Sequence, residues 1–171
     1  MTALKPRNFP VGALNWKSLL SLAVLAIAVL VSIILGVDNG GRLLLLVLAI
    51  VVFGVIILLL TSANVTISDG VLIAGGGFYK VKVPMERLDI AHARLMSADD
   101  PFRLRWRANG LGWPGLSLGW FTTNGAKRVF AVATGSANRV YVPTVEDFDI
   151  VVTPVDPAGF LKTLGNSTTP L

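Results

Sequence analysis

The sequence predicts an α+β membrane protein in which a two-helix transmembrane hairpin precedes a mostly-β barrel or sandwich with a short C-terminal helix. Two observations predict the hairpin: residues 18–37 and 43–60 are apolar and contain no charged residue, and a short polar segment separates them. A third observation predicts the β domain. After Thr61 the chain changes to short alternating segments punctuated by glycine, proline and asparagine.

Each apolar segment is long enough to cross a bilayer as a helix. At about 1.5 Å per residue the first spans roughly 30 Å and the second roughly 27 Å, close to the ~30 Å hydrocarbon core. The alternative is a buried helix pair in a soluble protein, but a domain this small cannot cover two helices that are apolar on every side. Residues 38–42 are polar and glycine-rich, which favours the turn of an antiparallel hairpin.

A signal peptide is the competing interpretation of the first segment, because Lys5, Arg7 and Lys17 precede it. Its apolar run is longer than the usual region of about 7–15 residues, and no small-residue cleavage pattern follows it. We therefore expect both helices in the mature protein, preceded by a basic tail at residues 1–17. These positive charges predict a cytoplasmic N-terminus, and two crossings then return the β domain to the cytoplasm.

Composition fits a small membrane protein and excludes several kinds of site. The chain is 53% hydrophobic and 15% charged, with a mean hydropathy of +0.69. Residues 62–171 hold eleven Lys and Arg against nine Asp and Glu, and a net charge of +2 does not predict nucleic-acid binding. Because there is no cysteine, disulfides, thiolate zinc sites and a cysteine nucleophile are excluded.

The β domain is expected over residues 62–165, with strands marked by alternating side chains and turn dipeptides. Asp69-Gly70 predicts one hairpin turn and Asn124-Gly125 another, whereas Asn109-Gly110 is expected in a loop. The further segments with a strand pattern are YKVKV, RLDIAHARLM, RLRWR, NRVYV and DFDIVV, and a domain of about seven antiparallel strands is predicted.

The end of the domain has the pattern of a short amphipathic helix. Asp156 is expected as its N-cap, Pro157 at its first position and Gly165 as its stop. Phe160 and its apolar neighbours would form the buried stripe. Residues 166–171 are predicted to be a polar tail.

Seven antiparallel strands followed by a helix are the arrangement of a pleckstrin-homology-like (PH-like) barrel. The sequence resembles the bacterial PH-domain membrane proteins over about Ala63 to Leu164. The resemblance implies a PH-like fold and a setting in a bacterial inner or cell membrane. It depends on Pro114–Phe121 (PGLSLGWF), Val140–Thr144 (VYVPT), and Thr153-Pro154 leading into Asp156-Pro157 and Phe160.

Eukaryotic relatives of this fold often bind phosphoinositides through a basic loop between the first two strands. In this sequence the corresponding turn is Asp69-Gly70, which is acidic and tight. The resemblance therefore does not support phosphoinositide binding.

No catalytic, cofactor or metal site is predicted. His92 is the only histidine, and the carboxylates at residues 99–100 and 146–149 lack the spacing of a calcium loop, which favours solvated turns. The glycine-rich residues 75–78 lack the Lys-Ser/Thr of a phosphate loop and are interpreted as a bulge or bend. Ser117 lies in a G-x-S-x-G pattern, but no histidine follows it. The chain is predicted not to be an enzyme.

One patch remains as a candidate contact surface. Arg103, Arg105 and Arg107 alternate along one predicted strand face, and Trp113 follows in a glycine-rich loop. A domain tethered near lipid could present these arginines to anionic headgroups, with the tryptophan at headgroup level. The alternative is a solvated arginine face backed by Leu104 and Trp106 in the core.

We therefore expect a membrane-tethered PH-like binding or scaffold module. Its partners would be the lipid bilayer and a membrane or cytoplasmic protein, with no cofactor and no catalytic activity. Peripheral contact of the β domain with anionic lipid headgroups is the alternative function. An uncharacterised enzyme is the third.

Overall fold

The computed structural model describes residues 6–13, 15–35, 39–97, 100, 104–124, 127–135 and 138–167. Within them, one strand precedes two long helices, further strands follow, and a short helix comes last. The helices are α1 (Trp16–Leu35), α2 (Asn39–Ser62) and α3 (Pro157–Asn166). The strands are β1 (Arg7–Pro10), β2 (Asn64–Ser68), β3 (Val71–Gly76), β4 (Tyr79–Pro84), β5 (Arg94–Leu95), β6 (Leu104–Trp113), β7 (Leu116–Thr123), β8 (Arg128–Ala133), β9 (Val140–Val142) and β10 (Phe148–Val152).

Helices α1 and α2 are both long and apolar enough to cross a membrane. Only 6% and 17% of their most apolar windows are buried, so most of each helix lies outside the hydrophobic cores. Their bounds differ from the predicted 18–37 and 43–60. Residues 39–42, expected in the turn, begin α2 instead. The first N–H groups of a helix have no partner within it, so a first helical turn is compatible with the polar environment predicted for this segment. The rest of that turn, residue 38, lies outside the described residues, as do residues 36–37 at the end of the first predicted span.

The N-terminal segment contributes a strand where a basic tail was expected. β1 pairs antiparallel with β2 along all four of its residues. Phe9 within β1 packs edge to face against Phe160 of α3, with ring centroids 5.2 Å apart. The tail interpretation was wrong for Arg7–Pro10, because β2 offers an open sheet edge that such a segment can complete.

The β strands form two sheets. The four-stranded sheet is antiparallel in the order β1-β2-β3-β4, and the six-stranded sheet has the order β5-β9-β10-β8-β7-β6. The prediction of antiparallel strands throughout was wrong at one pair, because β10 runs parallel to β8. Strand β9 causes this, since it reverses the chain between them and pairs antiparallel with β10.

Two hydrophobic cores lie on the two faces of the six-stranded sheet. The larger joins this sheet to the four-stranded sheet and to α3, and it includes the buried Phe130, Ile150 and Phe160. The smaller lies on the outer face and includes Val129 and Val151. Because successive side chains of a strand point to opposite faces, Ile150 and Val151 serve different cores.

Hydrogen bonds hold the start of α1 against the turn between β6 and β7. The Asn15 Oδ1 atom accepts the backbone N–H groups of Lys17 and Ser18, each at 3.1 Å, as an N-cap does. The Asn15 amide also donates to the Gly115 carbonyl at 3.0 Å. Ser18 is fully buried, with its Oγ atom 3.0 Å from the Pro114 carbonyl oxygen.

The end of α2 lies against the end of β3. A Cβ atom added at Gly76 would come within 2.8 Å of the Ala63 backbone nitrogen, so only glycine permits this approach. Both helices therefore adjoin the same end of the β domain. Side-chain hydrogen bonds hold the start of α1 there, and a close backbone approach holds the end of α2.

Two local predictions need correction, and a third becomes more specific. Asn109-Gly110 lies inside β6, and the turn comes later, at Pro114-Gly115. The segment predicted as the strand RLDIAHARLM forms a 3₁₀ helix, Ile90–His92, and only a two-residue strand, β5. Residues 75–78, predicted as a bulge or bend, form the end of β3 and a tight turn into β4.

Helix α3 begins as predicted and ends later than predicted. The Asp156 side chain accepts the Gly159 N–H at 2.9 Å, and Pro157 occupies the first helical position. Gly165 does not stop the helix, which continues through Asn166. A glycine stop requires a left-handed conformation, and Gly165 is helical.

Candidate functional site

The predicted contact residues map to strand β6, which forms one edge of the six-stranded sheet. Arg103 lies outside the described residues, whereas Arg105, Arg107 and Trp113 belong to β6. The register of β6 against β7 shifts twice between residues 104 and 109. Such shifts interrupt the alternation of side chains, so regular spacing does not assign the arginines to one face.

Trp106 does not lie in the core, contrary to the second interpretation of this segment. Leu104 is partly buried against the smaller core, but Trp106 is 79% exposed. The Thr122 hydroxyl lies 3.1 Å from the Trp106 backbone nitrogen and 3.2 Å from its carbonyl oxygen. The Thr122 hydroxyl therefore forms hydrogen bonds with the Trp106 backbone where the pairing of β6 and β7 is irregular. The Trp106 indole itself is exposed to solvent.

Arg107 and Trp113 lie toward the two apolar helices. A Cβ atom added at Gly112 would be 2.9 Å from Nη1 of Arg107, so the guanidinium lies over that glycine, one residue before Trp113. Trp113 is partly buried against the larger core, and its Nε1 atom is 3.5 Å from the Ser18 carbonyl oxygen. The sequence predicted an exposed tryptophan at this position. The structure places it beside the first turn of α1.

Two hairpin tips meet the ends of the two helices. The β6–β7 tip contacts α1, and the β3–β4 tip, Gly77-Phe78, contacts the end of α2. Between the tips, the Tyr79 hydroxyl donates to Asn109 Oδ1 at 3.2 Å. We call this end of the β domain the helix-proximal surface, and define it by Trp16, Lys17, Phe78, Lys80, Arg107 and Trp113.

Phe78 is the functional candidate that the sequence interpretation missed. Its side chain is 81% exposed at the tip of the β3–β4 turn. The signal was an aromatic residue placed directly after three glycines, where a turn leaves no core for it to join.

Charged side chains at the two ends of the β domain differ in whether they form ion pairs. Within the described residues, Lys17, Lys80 and Arg107 of the helix-proximal surface form no ion pair. At the opposite end, Arg87 pairs with Glu146 at 2.8 Å and Arg128 with Asp147 at 3.0 Å. The three cations of the helix-proximal surface are therefore available to an anionic surface.

A polar network on the outer face of the six-stranded sheet is centred on Asp149. This carboxylate is 5% exposed, although the sequence interpretation placed it in a solvated turn. It accepts the Tyr141 hydroxyl at 2.6 Å and the Thr144 N–H at 3.0 Å, and Lys127 Nζ lies 3.5 Å away. Burial and the hydrogen bond to Asp149 raise the pKa of Tyr141 above its usual value of about 10. Each carboxylate oxygen accepts a hydrogen bond, and the network links β9, β10 and the loop that carries Thr144.

Neither His92 nor Ser117 lies in a catalytic arrangement with other described residues. His92 is exposed on its 3₁₀ helix, with Nδ1 2.8 Å from Asp89 Oδ2. Ser117 lies within β7 in regular register with Ala133, and not on the strand-to-helix turn that a nucleophile needs. No group of three or more His, Asp or Glu side chains within the described ranges could hold a metal ion.

A small cavity lies at the end of the β domain opposite the helices. It has a volume of about 150 Å³, below the ~300–1,000 Å³ of typical ligand pockets. Its lining includes Arg7, Asp69 and Thr163, and Arg7 donates to the Thr163 hydroxyl at 3.0 Å. Asp69 and Gly70 both have positive φ, as expected for the tight hairpin turn, and they bring no basic loop to this cavity.

Comparison with known proteins identifies the domain formed by these two sheets and α3. The family model described as "Bacterial PH domain" matches residues 63–167, from the start of β2 to the end of α3 and more than half of the chain. No curated protein and no solved structure matches the chain. The chain therefore belongs to the bacterial PH-domain family.

Proposed function

We propose that this protein is a membrane-tethered, non-catalytic module that binds a protein partner through its PH-like domain. In this proposal α1 and α2 cross a bacterial inner or cell membrane, and the N-terminus and the β domain lie in the cytoplasm. Membership of a family of binding domains supports the binding role. The length, apolarity and exposure of the two helices support the membrane setting.

Trp106 is the observation that carries the proposal of a protein partner. The indole is 79% exposed on an edge strand, next to the exposed Arg105. Tryptophan and arginine are the residues most enriched at the energetic centres of protein interfaces. An edge strand also has unpaired backbone groups that a partner's strand can complete.

The test is purification of the full chain from native membranes in mild detergent, with identification of co-purifying proteins. Trp106→Ala should lose the specific partner, because loss of an interface centre costs about 2 kcal/mol or more, roughly 30-fold in affinity. Val145→Ala, an exposed apolar residue at another site, is the matched control and should retain it. Equal recovery of the same partner by both variants would contradict the proposed surface.

Contact of the β domain with anionic lipid is the second candidate function. Arg107 and Lys80 favour it, because both lie at the helix-proximal surface without an ion pair within the described residues. Each such charge adds about 1 kcal/mol near an anionic leaflet. Replacement of Lys80 and Arg107 by Gln tests this function: salt-sensitive binding of the isolated β domain to anionic vesicles should weaken. Unchanged binding would reject it.

A further inference from the structure

We infer that the β3–β4 turn is a membrane-docking element, in which the Phe78 side chain enters the interfacial layer of the bilayer that α1 and α2 cross. The inference rests on the proposed function only in taking those helices to be membrane spans. It assigns to the turn a role in fixing how the β domain is oriented on the lipid surface.

The turn lies against the end of α2, where a left-handed backbone and a close approach favour glycine. Gly77 has φ +54°, and a Cβ atom there would lie 2.6 Å from Cδ2 of Leu59 and 3.6 Å from the Ser62 hydroxyl. Leu59 is buried, so the turn covers the last turn of α2. Phe78 follows directly and therefore projects at the level where α2 ends.

That level corresponds to the membrane interface. Helix α2 has 24 residues and is about 36 Å long, which exceeds the ~30 Å hydrocarbon core. Near the end of α2, Ile56, Leu59 and Leu60 are buried in the larger core, so this end of the helix lies in the headgroup region. At the same end, the exposed Trp16 begins α1, and Trp113 lies beside Ser18. Three aromatic side chains at one level are typical of the aromatic belt of membrane proteins.

The charged residues near Phe78 favour lipid as the surface that the Phe78 side chain contacts. Lys80 is exposed two residues away, and Lys17 and Arg107 belong to the same surface. An apolar tip surrounded by cations without ion pairs, within the described part of the chain, fits an anionic headgroup layer above hydrocarbon. Continuity of the tip with the end of α2 favours the same bilayer over a separate protein.

The absence of native cysteine allows a direct measurement of depth. Single cysteines would be placed by Phe78→Cys, by Ile50→Cys in the middle of α2, and by Asp69→Cys at the opposite end of the β domain. The full-length chain carries an environment-sensitive fluorophore in vesicles of phosphatidylcholine and phosphatidylglycerol. Lipids with a nitroxide at a shallow or a deep position quench it.

We expect position 78 to be quenched several-fold more by the shallow nitroxide than position 69, and position 50 to be quenched by the deep one. Quenching at 50 with none at 78 overturns the docking inference, favours a protein as the occupant, and leaves the membrane spans intact. Absence of quenching at 50 overturns the proposed spans themselves.

A second measurement keeps the native Phe78 in place. With the label at Lys80→Cys, shallow quenching should fall when Phe78→Ser is added. It should remain unchanged when Val145→Ser, which alters an exposed apolar side chain at the opposite end of the β domain, is added instead. Equal quenching at position 80 in all three chains would overturn the role of Phe78 in docking.

Discussion

Asp149 holds together the polar side chains on the outer face of the six-stranded sheet. It is buried and receives hydrogen bonds from Tyr141 and Thr144, with Lys127 Nζ nearby. A buried carboxylate is costly unless donors of this kind surround it. The four residues therefore act as one structural unit, and the protonation of Tyr141 is coupled to folding.

The raised pKa of Tyr141 predicts a loss of stability in alkali. Above about pH 10 the unfolded chain releases the tyrosine proton while the folded chain retains it, so the free energy of unfolding falls as pH rises. Unfolding of the full chain in detergent, followed by near-ultraviolet circular dichroism against pH, measures this slope. Tyr141→Phe should be less stable at neutral pH but should lose less with increasing pH. A variant with the parent's slope would contradict the assignment.

Strand β1 is the element that joins the segment before the helices to the PH-like domain. It completes the edge of the four-stranded sheet, and Phe9 contacts Phe160 of α3. The family match begins at residue 63 and so excludes this strand. The domain in this chain is therefore built from two segments that the apolar helices separate.

A fragment of residues 63–167 lacks β1, so we expect a separate peptide with the β1 sequence to stabilise it. A peptide of residues 6–13 should raise the melting temperature of the fragment in a concentration-dependent manner, because it binds the folded sheet edge. The matched peptide with Phe9→Ser loses an aromatic contact of about 1.5–3 kcal/mol, roughly tenfold or more in affinity. Differential scanning fluorimetry measures both, and equal shifts from the two peptides would contradict the proposed role of Phe9.

At the scale of the whole molecule, both apolar helices emerge from one end of the β domain. Contacts from Asn15 and Ser18 fix the start of α1, and the close approach of Gly76 to Ala63 fixes the end of α2. If the helices span the membrane, the N-terminal strand and the β domain must share one side of it.

The basic residues before α1 predict that this side is the cytoplasm. In whole cells, a membrane-impermeant thiol reagent should label a cysteine placed by Asn39→Cys at the start of α2. It should label one placed by Val145→Cys, which is exposed on the β domain, only after lysis. Labelling at position 145 in intact cells would reverse the orientation and remove the proposed cytoplasmic partner.

Local sequence signals predicted much of the architecture, because they depend on neighbours in the chain. The two apolar runs, the Asp69-Gly70 turn and the Asp156 cap are confirmed. The resemblance to the bacterial PH-domain family is confirmed as well. Length, hydropathy and turn chemistry need no tertiary information.

Positions that depend on distant segments were not predictable in this way. Arg7–Pro10 carries no strong strand signal, and only the open edge of β2, more than fifty residues later, makes it a strand. Trp106 was assigned to the core by alternation, which the register shifts of β6 interrupt. Asp149 was assigned to a solvated turn. Its hydrogen-bond partners come from other strands and loops, so the sequence around it did not indicate that it is buried.

The sequence by itself therefore determined that this protein has two helices able to span a membrane and a PH-like domain. Only the tertiary structure decided which side chains surround the ends of those helices, since strand pairing and the fastening of both helices to the hairpin tips bring Phe78, Arg107 and Trp113 to one surface. The physical reason is that periodicity and turn propensity act over a few residues, whereas a surface is assembled from segments that meet only after the chain has folded.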